Sequence, residues 1–135
     1  NELDTSFIIN KLKSEKKNII VPKISNNELV HIAINDKTEF SINEYDIEEP
    51  NNGNSFIIEN LDLIFIPLLA YDLEGHRVGY GMGYYDKFLK LTNKSSLKIG
   101  LSFFDPINKI QDIDDNDVKL DYCITPTQVH KFDHI

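Results

Sequence analysis

Gly79, Gly81 and Gly83 stand at alternate positions between Arg77 and the cluster Tyr84-Tyr85-Asp86. Main chain free of side chains at a helix start lets backbone N–H groups close on an anion such as a phosphate. A neighbouring guanidinium can add a bidentate, charge-assisted contact. Asp86, directly after two tyrosines, either interacts with the helix dipole as a cap or holds magnesium against phosphates. Tyr84 and Tyr85 offer stacking surfaces for a flat heterocycle, or core packing. The same spacing also suits a plain glycine-rich turn between a core strand and a surface helix, with Arg77 paired to Glu74 or Asp72.

The pattern is neither of the two common nucleotide motifs. Walker A requires Gly-Lys-Ser/Thr, and the dinucleotide fingerprint places its third glycine three positions after the second. Other chemical groups are sparse. His76 reads as an exposed residue of a Glu-Gly-His-Arg turn, while His31, His130 and His134 show no ligand spacing. Cys123 is the single cysteine, which excludes an internal disulfide and a cysteine-based metal site. Asp105, Asp112, Asp114, Asp115, Asp117 and Asp121 read as a solvated acidic stretch, with a metal site as the alternative.

The elements that must position these residues alternate between helical and strand-like. Thr5 can cap a helix to about Lys17 with Phe7, Ile8 and Leu12 on one face. Ile19-Ile20-Val21 before Pro22 predicts a short buried strand with a stop. Leu29 to Ile34 is strand-like, with turn material at Asn26-Asn27 and Asn51 to Asn54. Leu63 to Ile66, four consecutive apolar residues, predicts a strand covered on both faces. Tyr85, Phe88 and Leu89 fit a helix laid on that sheet, followed by strands at Leu97 to Phe103 and Tyr122 to Ile124. The alternation points to a single three-layer α/β/α domain over residues 1–135 with a mostly parallel, mixed sheet. Ligands in such folds collect beyond the carboxyl ends of the strands, where the glycine stretch falls.

Charge and hydropathy narrow the partners. A net charge of -8 argues against nonspecific nucleic-acid binding, which runs on Lys and Arg. Between Arg77 and Lys90 the charged residues are Arg77, Asp86, Lys87 and Lys90, so the candidate anion site is locally basic. No apolar run is long enough to cross a bilayer, and no signal-like segment stands at the start.

The run Pro67-Leu68-Leu69-Ala70-Tyr71-Asp72, then Gly75-His76-Arg77-Val78-Gly79-Tyr80-Gly81-Met82-Gly83-Tyr84-Tyr85-Asp86-Lys87, resembles the signature of 5-formyltetrahydrofolate cyclo-ligases. Asn1-Glu2-Leu3-Asp4-Thr5, Ile47-Glu48-Glu49-Pro50 and Asp117-Val118-Lys119-Leu120-Asp121 are similar to further elements of that family. The resemblance implies an ATP- and magnesium-dependent ligase. ATP phosphorylates the formyl oxygen of 5-formyltetrahydrofolate, N10 attacks the formyl carbon, and phosphate leaves to give 5,10-methenyltetrahydrofolate and ADP.

It further implies an ATP site at Arg77, Val78, Gly79, Tyr80, Gly81, Met82, Gly83, Tyr84 and Tyr85. Folate contacts would come from Glu2, Tyr80, Gly81, Met82, Gly83 and Tyr84, and magnesium ligands from Asp86 and Asp121. Partners would be a reduced folate and ATP, with no nucleic acid or membrane, in a cytoplasmic protein expected as a monomer. Two departures stand out: position 80 is Tyr where many relatives have Arg, and the chain starts after the family's N-terminal basic helix and first strand. No residue is assigned as a catalytic acid, base or nucleophile.

Overall fold

The computed structural model describes residues 4–79, 84–111, 113 and 117–133. The chain divides into two compact units, Asp4–Ile58 and Glu59–Ile135.

In the first unit, α1 spans Ser6–Ser14, shorter than the predicted helix. Thr5 occupies the cap position without a side-chain cap; Asp4 serves instead, its carboxylate accepting the Ser6 N–H at 2.9 Å and the Ser6 hydroxyl at 2.7 Å. Lys16 takes a left-handed φ of 59°, and the Lys17 N–H closes back on the Leu12 carbonyl at 3.0 Å. That Schellman-like closure stops the helix before Lys17. Phe7 is exposed rather than on the apolar face, which Ile8, Ile9 and Leu12 supply.

Strand β1 (Ile19–Ser25) runs straight through Pro22, which faces His31 in β2 (Glu28–Ile34). The expected stop does not occur because β1 is an edge strand, where a residue without an N–H can leave the ladder intact. Asn26 and Asn27, with φ of 52° and 63°, form the two-residue turn between them, the primed geometry that suits strand twist. The antiparallel pair β3 (Phe40–Ile42) and β4 (Glu48–Pro50) follows, and β5 (Asn54–Ser55) adds to β2. Buried Glu49 of β4 accepts the Ile24 N–H of β1 at 2.7 Å.

The second unit is built on a mixed sheet in the order β11-β10-β9-β6. Its strands are β6 (Leu63–Pro67), β9 (Leu97–Leu101), β10 (Tyr122–Ile124) and β11 (Val129–Lys131). β6, β9 and β10 are parallel and β11 is antiparallel to β10. A two-stranded hairpin of β7 (Ala70–Tyr71) and β8 (Arg77–Val78) and then helix α2 (Tyr84–Leu91) connect β6 to β9. The fold is thus mixed α/β with a largely parallel sheet. β6 is an edge strand whose Leu63 is exposed while Ile64 and Ile66 are buried, so the expected cover on both faces fails at its start. β9 ends at Leu101, short of Phe103, because the Ser102 hydroxyl accepts the Phe104 N–H and bends the chain.

The core of this unit includes Ile66, Leu68, Leu89, Leu120 and Cys123. Gly100 lies at its centre. A Cβ there would sit 2.6 Å from Leu68 Cδ2 and 2.9 Å from Leu120 Cδ1, so any larger residue requires these side chains to shift. Gly100→Ala is expected to destabilise the protein by about 1–3 kcal/mol through overpacking, read as a lower urea midpoint with unchanged slope.

Candidate functional site

The hairpin β7–β8 is closed by one carboxylate. Asp72 is fully buried; its Oδ1 accepts the N–H groups of Glu74 at 2.9 Å and His76 at 3.0 Å. Its Oδ2 accepts the Ile110 N–H at 3.1 Å and lies 3.0 Å from His76 Nδ1. Burial by itself would raise its pKa, but the hydrogen bonds from Ile110, His76 and Glu74 outweigh that and hold it below the ordinary aspartate value of 3.8. The group is therefore ionised and can only accept, so His76 Nδ1 carries the proton. His76, expected as an exposed turn residue, is instead 11% exposed and fixed by this contact.

Gly75 makes the turn with φ +90°. Its carbonyl accepts the Leu120 N–H at 2.9 Å, and an added Cβ would lie 2.9 Å from the Leu120 carbonyl oxygen. The turn thus needs glycine for both conformation and space.

Arg77 follows directly. Its side chain is 4% exposed and donates from a terminal nitrogen to Asp86 Oδ1 at 2.7 Å. The partners considered from the sequence, Glu74 and Asp72, are not used: Asp72 and Glu74 lie beside His76. Asp86 sits in the first turn of α2, where the helix dipole favours a carboxylate, and is 45% exposed. Arg77 Nε is buried with no hydrogen-bond partner among the described residues.

Arg77 and Asp86 line a cavity of about 470 Å³ together with His76, Val78, Lys109 and Asp117. Its opposite charges are thus one ion pair plus a lysine and a second carboxylate, with Ile107 and Ile113 among its apolar lining. The segment bearing Lys109 is tied to the hairpin at both ends: Ile107 N–H to the Tyr71 carbonyl at 2.9 Å and Ile110 N–H to Asp72.

Of the residues singled out from sequence, His76, Arg77, Val78, Asp86 and Asp117 come together at this cavity. Gly79 follows Val78; an added Cβ there would be 3.7 Å from the Arg77 guanidinium, so space does not demand its glycine. Tyr84 opens α2, and Tyr85 packs its ring 6.2 Å from that of Phe88. Asp121 is not among the residues lining the cavity. Its Oδ2 accepts the Lys98 N–H at 2.8 Å beside the β9–β10 ladder. Glu2, Tyr80, Gly81, Met82 and Gly83 lie outside the described residues.

Lys109 gains importance only here, while Asp72 and Asp117 take places different from the Arg77 pairing and the solvated acidic stretch read from the sequence. Asp72 was visible as a turn-forming aspartate two residues before an acidic-glycine pair, whereas nothing in local spacing marks Lys109. Two other groups are set aside by their surroundings. Lys98 is buried, but its ammonium donates to the carbonyls of Ser96 at 2.9 Å and Asn93 at 3.4 Å. Burial pushes the Cys123 thiol up to about 11, which leaves it protonated and unreactive at neutral pH. No cluster of three or more His, Cys, Asp or Glu side chains suited to a metal occurs among the described residues, and no helix among them is long and apolar enough to cross a membrane.

Residues 1–126 match the model of the 5-formyltetrahydrofolate cyclo-ligase family. The chain belongs to that family. A probable cyclo-ligase of Schizosaccharomyces pombe is 30% identical over 95% of this chain and 71% of its own length. The cyclo-ligase of Haemophilus influenzae is 32% identical over 76% of this chain and 58% of its own length. Among solved structures, the 5,10-methenyltetrahydrofolate synthetase of Aquifex aeolicus superposes with a TM-score of 0.81 at 29% identity, covering 99% of this chain and 68% of that one. The enzyme of the same name from Mycoplasma pneumoniae gives 0.70 at 26% identity, covering 92% and 66%. The chain therefore spans roughly two thirds of the family's cyclo-ligases from these organisms.

Asp72→Asn is expected to cost about 2–4 kcal/mol, since it removes the charge from an acceptor that serves three backbone N–H groups and an imidazole. Because the folded carboxyl is held below 3.8, its contribution is complete above that value and fades as acid carries pH through the folded pKa. Thermal melts from neutral pH to below pH 3.8 should thus show the wild-type advantage over Asp72→Asn shrinking on acidification; an advantage independent of pH would contradict the assignment.

Proposed function

We propose that the chain carries the nucleotide-binding part of an ATP-dependent 5-formyltetrahydrofolate cyclo-ligase, yielding 5,10-methenyltetrahydrofolate, ADP and phosphate. The observation that carries this reading is the convergence of Arg77, Lys109, Asp86 and Asp117 on one cavity, in a chain that matches the family over residues 1–126. The names of its relatives point to the same conversion.

The chemistry required is chiefly positioning and charge. The formyl oxygen is an amide-like oxygen of low nucleophilicity, so the terminal phosphate must be held in line with it. Arg77 contributes a guanidinium for the phosphates, kept in place by Asp86. The family resemblance adds the glycine segment as a source of main-chain donors for the phosphates, and Tyr80 to Tyr84 with Glu2 as the folate-binding residues. Transfer of phosphate to the formyl oxygen turns that oxygen into a leaving group. N10 then attacks the formyl carbon, the C–O bond breaks, phosphate departs and N10 loses its proton.

Magnesium would be carried in with the triphosphate, neutralising its charge. Such ions keep several waters and take only one or two protein carboxylates, which Asp86 can supply with a partner. The family resemblance points to Asp121 as that partner, and a place on the cavity wall favours Asp117. The reading also includes a three-layer α/β/α arrangement built around the β6–β9–β10 parallel strands.

Mixing the protein with 5-formyltetrahydrofolate, ATP and magnesium should generate the methenyl chromophore, and omission of ATP should abolish it; ATP-independent product or none at all refutes the activity. Asp86→Asn should remove magnesium-dependent turnover, and comparison of Asp117→Asn with Asp121→Asn identifies the second ligand as the one whose loss raises the magnesium requirement more. Arg77→Ala should raise KM for ATP by about ten-fold or more while changing KM for the folate less. Equal losses for both substrates would mark Arg77 as structural.

A further inference from the structure

We propose that Lys109 is a phosphate-binding residue of the nucleotide site, the second cation beside Arg77. This rests on the nucleotide reading given above. Arg77 enters the cavity already engaged by Asp86 at 2.7 Å, so its charge is partly spent within the protein. Asp117 adds a second carboxylate to the same wall. A triphosphate entering there meets two carboxylates and a compensated guanidinium, and needs another positive group even with a divalent ion bound.

Lys109 is the lysine among the described cavity residues, and among the described residues it has neither a hydrogen bond nor an ion pair. The contrast with Lys98 is direct, since the Lys98 ammonium is occupied by two carbonyls. The position of Lys109 is also built. Ile107 and Ile110, on either side of it, donate their N–H groups to Tyr71 and Asp72 at 2.9 and 3.1 Å. Asp72 also accepts the His76 N–H, one residue before Arg77. One buried carboxylate therefore sets the backbone of both cation-bearing segments. A flexible ammonium on a fixed backbone suits phosphate, which it meets as a point charge.

The experiment is an equilibrium titration of ATP, ADP and AMP, with magnesium, into wild type, Lys109→Ala and Lys109→Arg. Lys109 is exposed, so neither substitution should alter the melting temperature appreciably. Lys109→Ala should weaken ATP and ADP by about ten-fold, the value of one charge-assisted hydrogen bond in a partly solvated site. AMP should change less than ATP, Lys109→Arg should recover most of the loss, and KM for 5-formyltetrahydrofolate should stay at the wild-type value. Wild-type ATP binding that is indifferent to Lys109→Ala, or an equal loss for AMP and ATP, overturns the role of Lys109 while leaving the nucleotide site in place. Failure of wild type to bind ATP overturns both.

Discussion

A carboxylate buried without compensation would cost several kcal/mol, and Asp72 is buried completely. Four donors, from Glu74, His76 twice and Ile110, make that burial tolerable and convert it into a structural constraint. Because all four must reach the same two oxygens, the turn after β7, the imidazole of His76 and the segment around Ile110 are held in one arrangement. Arg77 and Lys109 each lie within one residue of such an anchor, and Asp86 lies in α2.

The constraint extends through the backbone. Leu120 donates to the Gly75 carbonyl at the tip of the same hairpin, which ties the stretch after Asp117 to the turn before Arg77. The described parts of the connection between β9 and β10 are fastened at Ile107, Ile110 and Leu120 to a hairpin of only two short strands. Arg77 and Lys109 are thereby brought to one cavity of an acidic chain.

The Arg77–Asp86 contact ties the start of α2 to the β7–β8 hairpin. A guanidinium that is 4% exposed requires a partner, and Asp86 provides one from the first turn of a helix whose dipole already favours its charge. The pair links α2 to β8. It also leaves Asp86 nearly half exposed at the cavity.

Much was legible locally. The apolar runs at Leu63–Pro67 and Tyr122–Ile124, the helix beginning at Tyr84, and the Asn26-Asn27 turn follow from periodicity and turn chemistry, which act over a few residues. The ordered signature from Pro67 to Lys87 was enough to indicate the family, since its glycines, arginine and aspartate are consecutive in the chain. Pairings across distance were not legible. Pro22 inside a strand depends on β1 being an edge, and the choice of Asp86 over Glu74 as the partner of Arg77 depends on where α2 docks. Lys109 carries no local mark and Asp117 only that of an acidic run; they share a cavity with Arg77 where hydrogen bonds from residues 107, 110 and 120 fasten their segment to the hairpin. Residue type and short-range order set the vocabulary of this site; burial of one charge, which no linear pattern encodes, decided which residues share it.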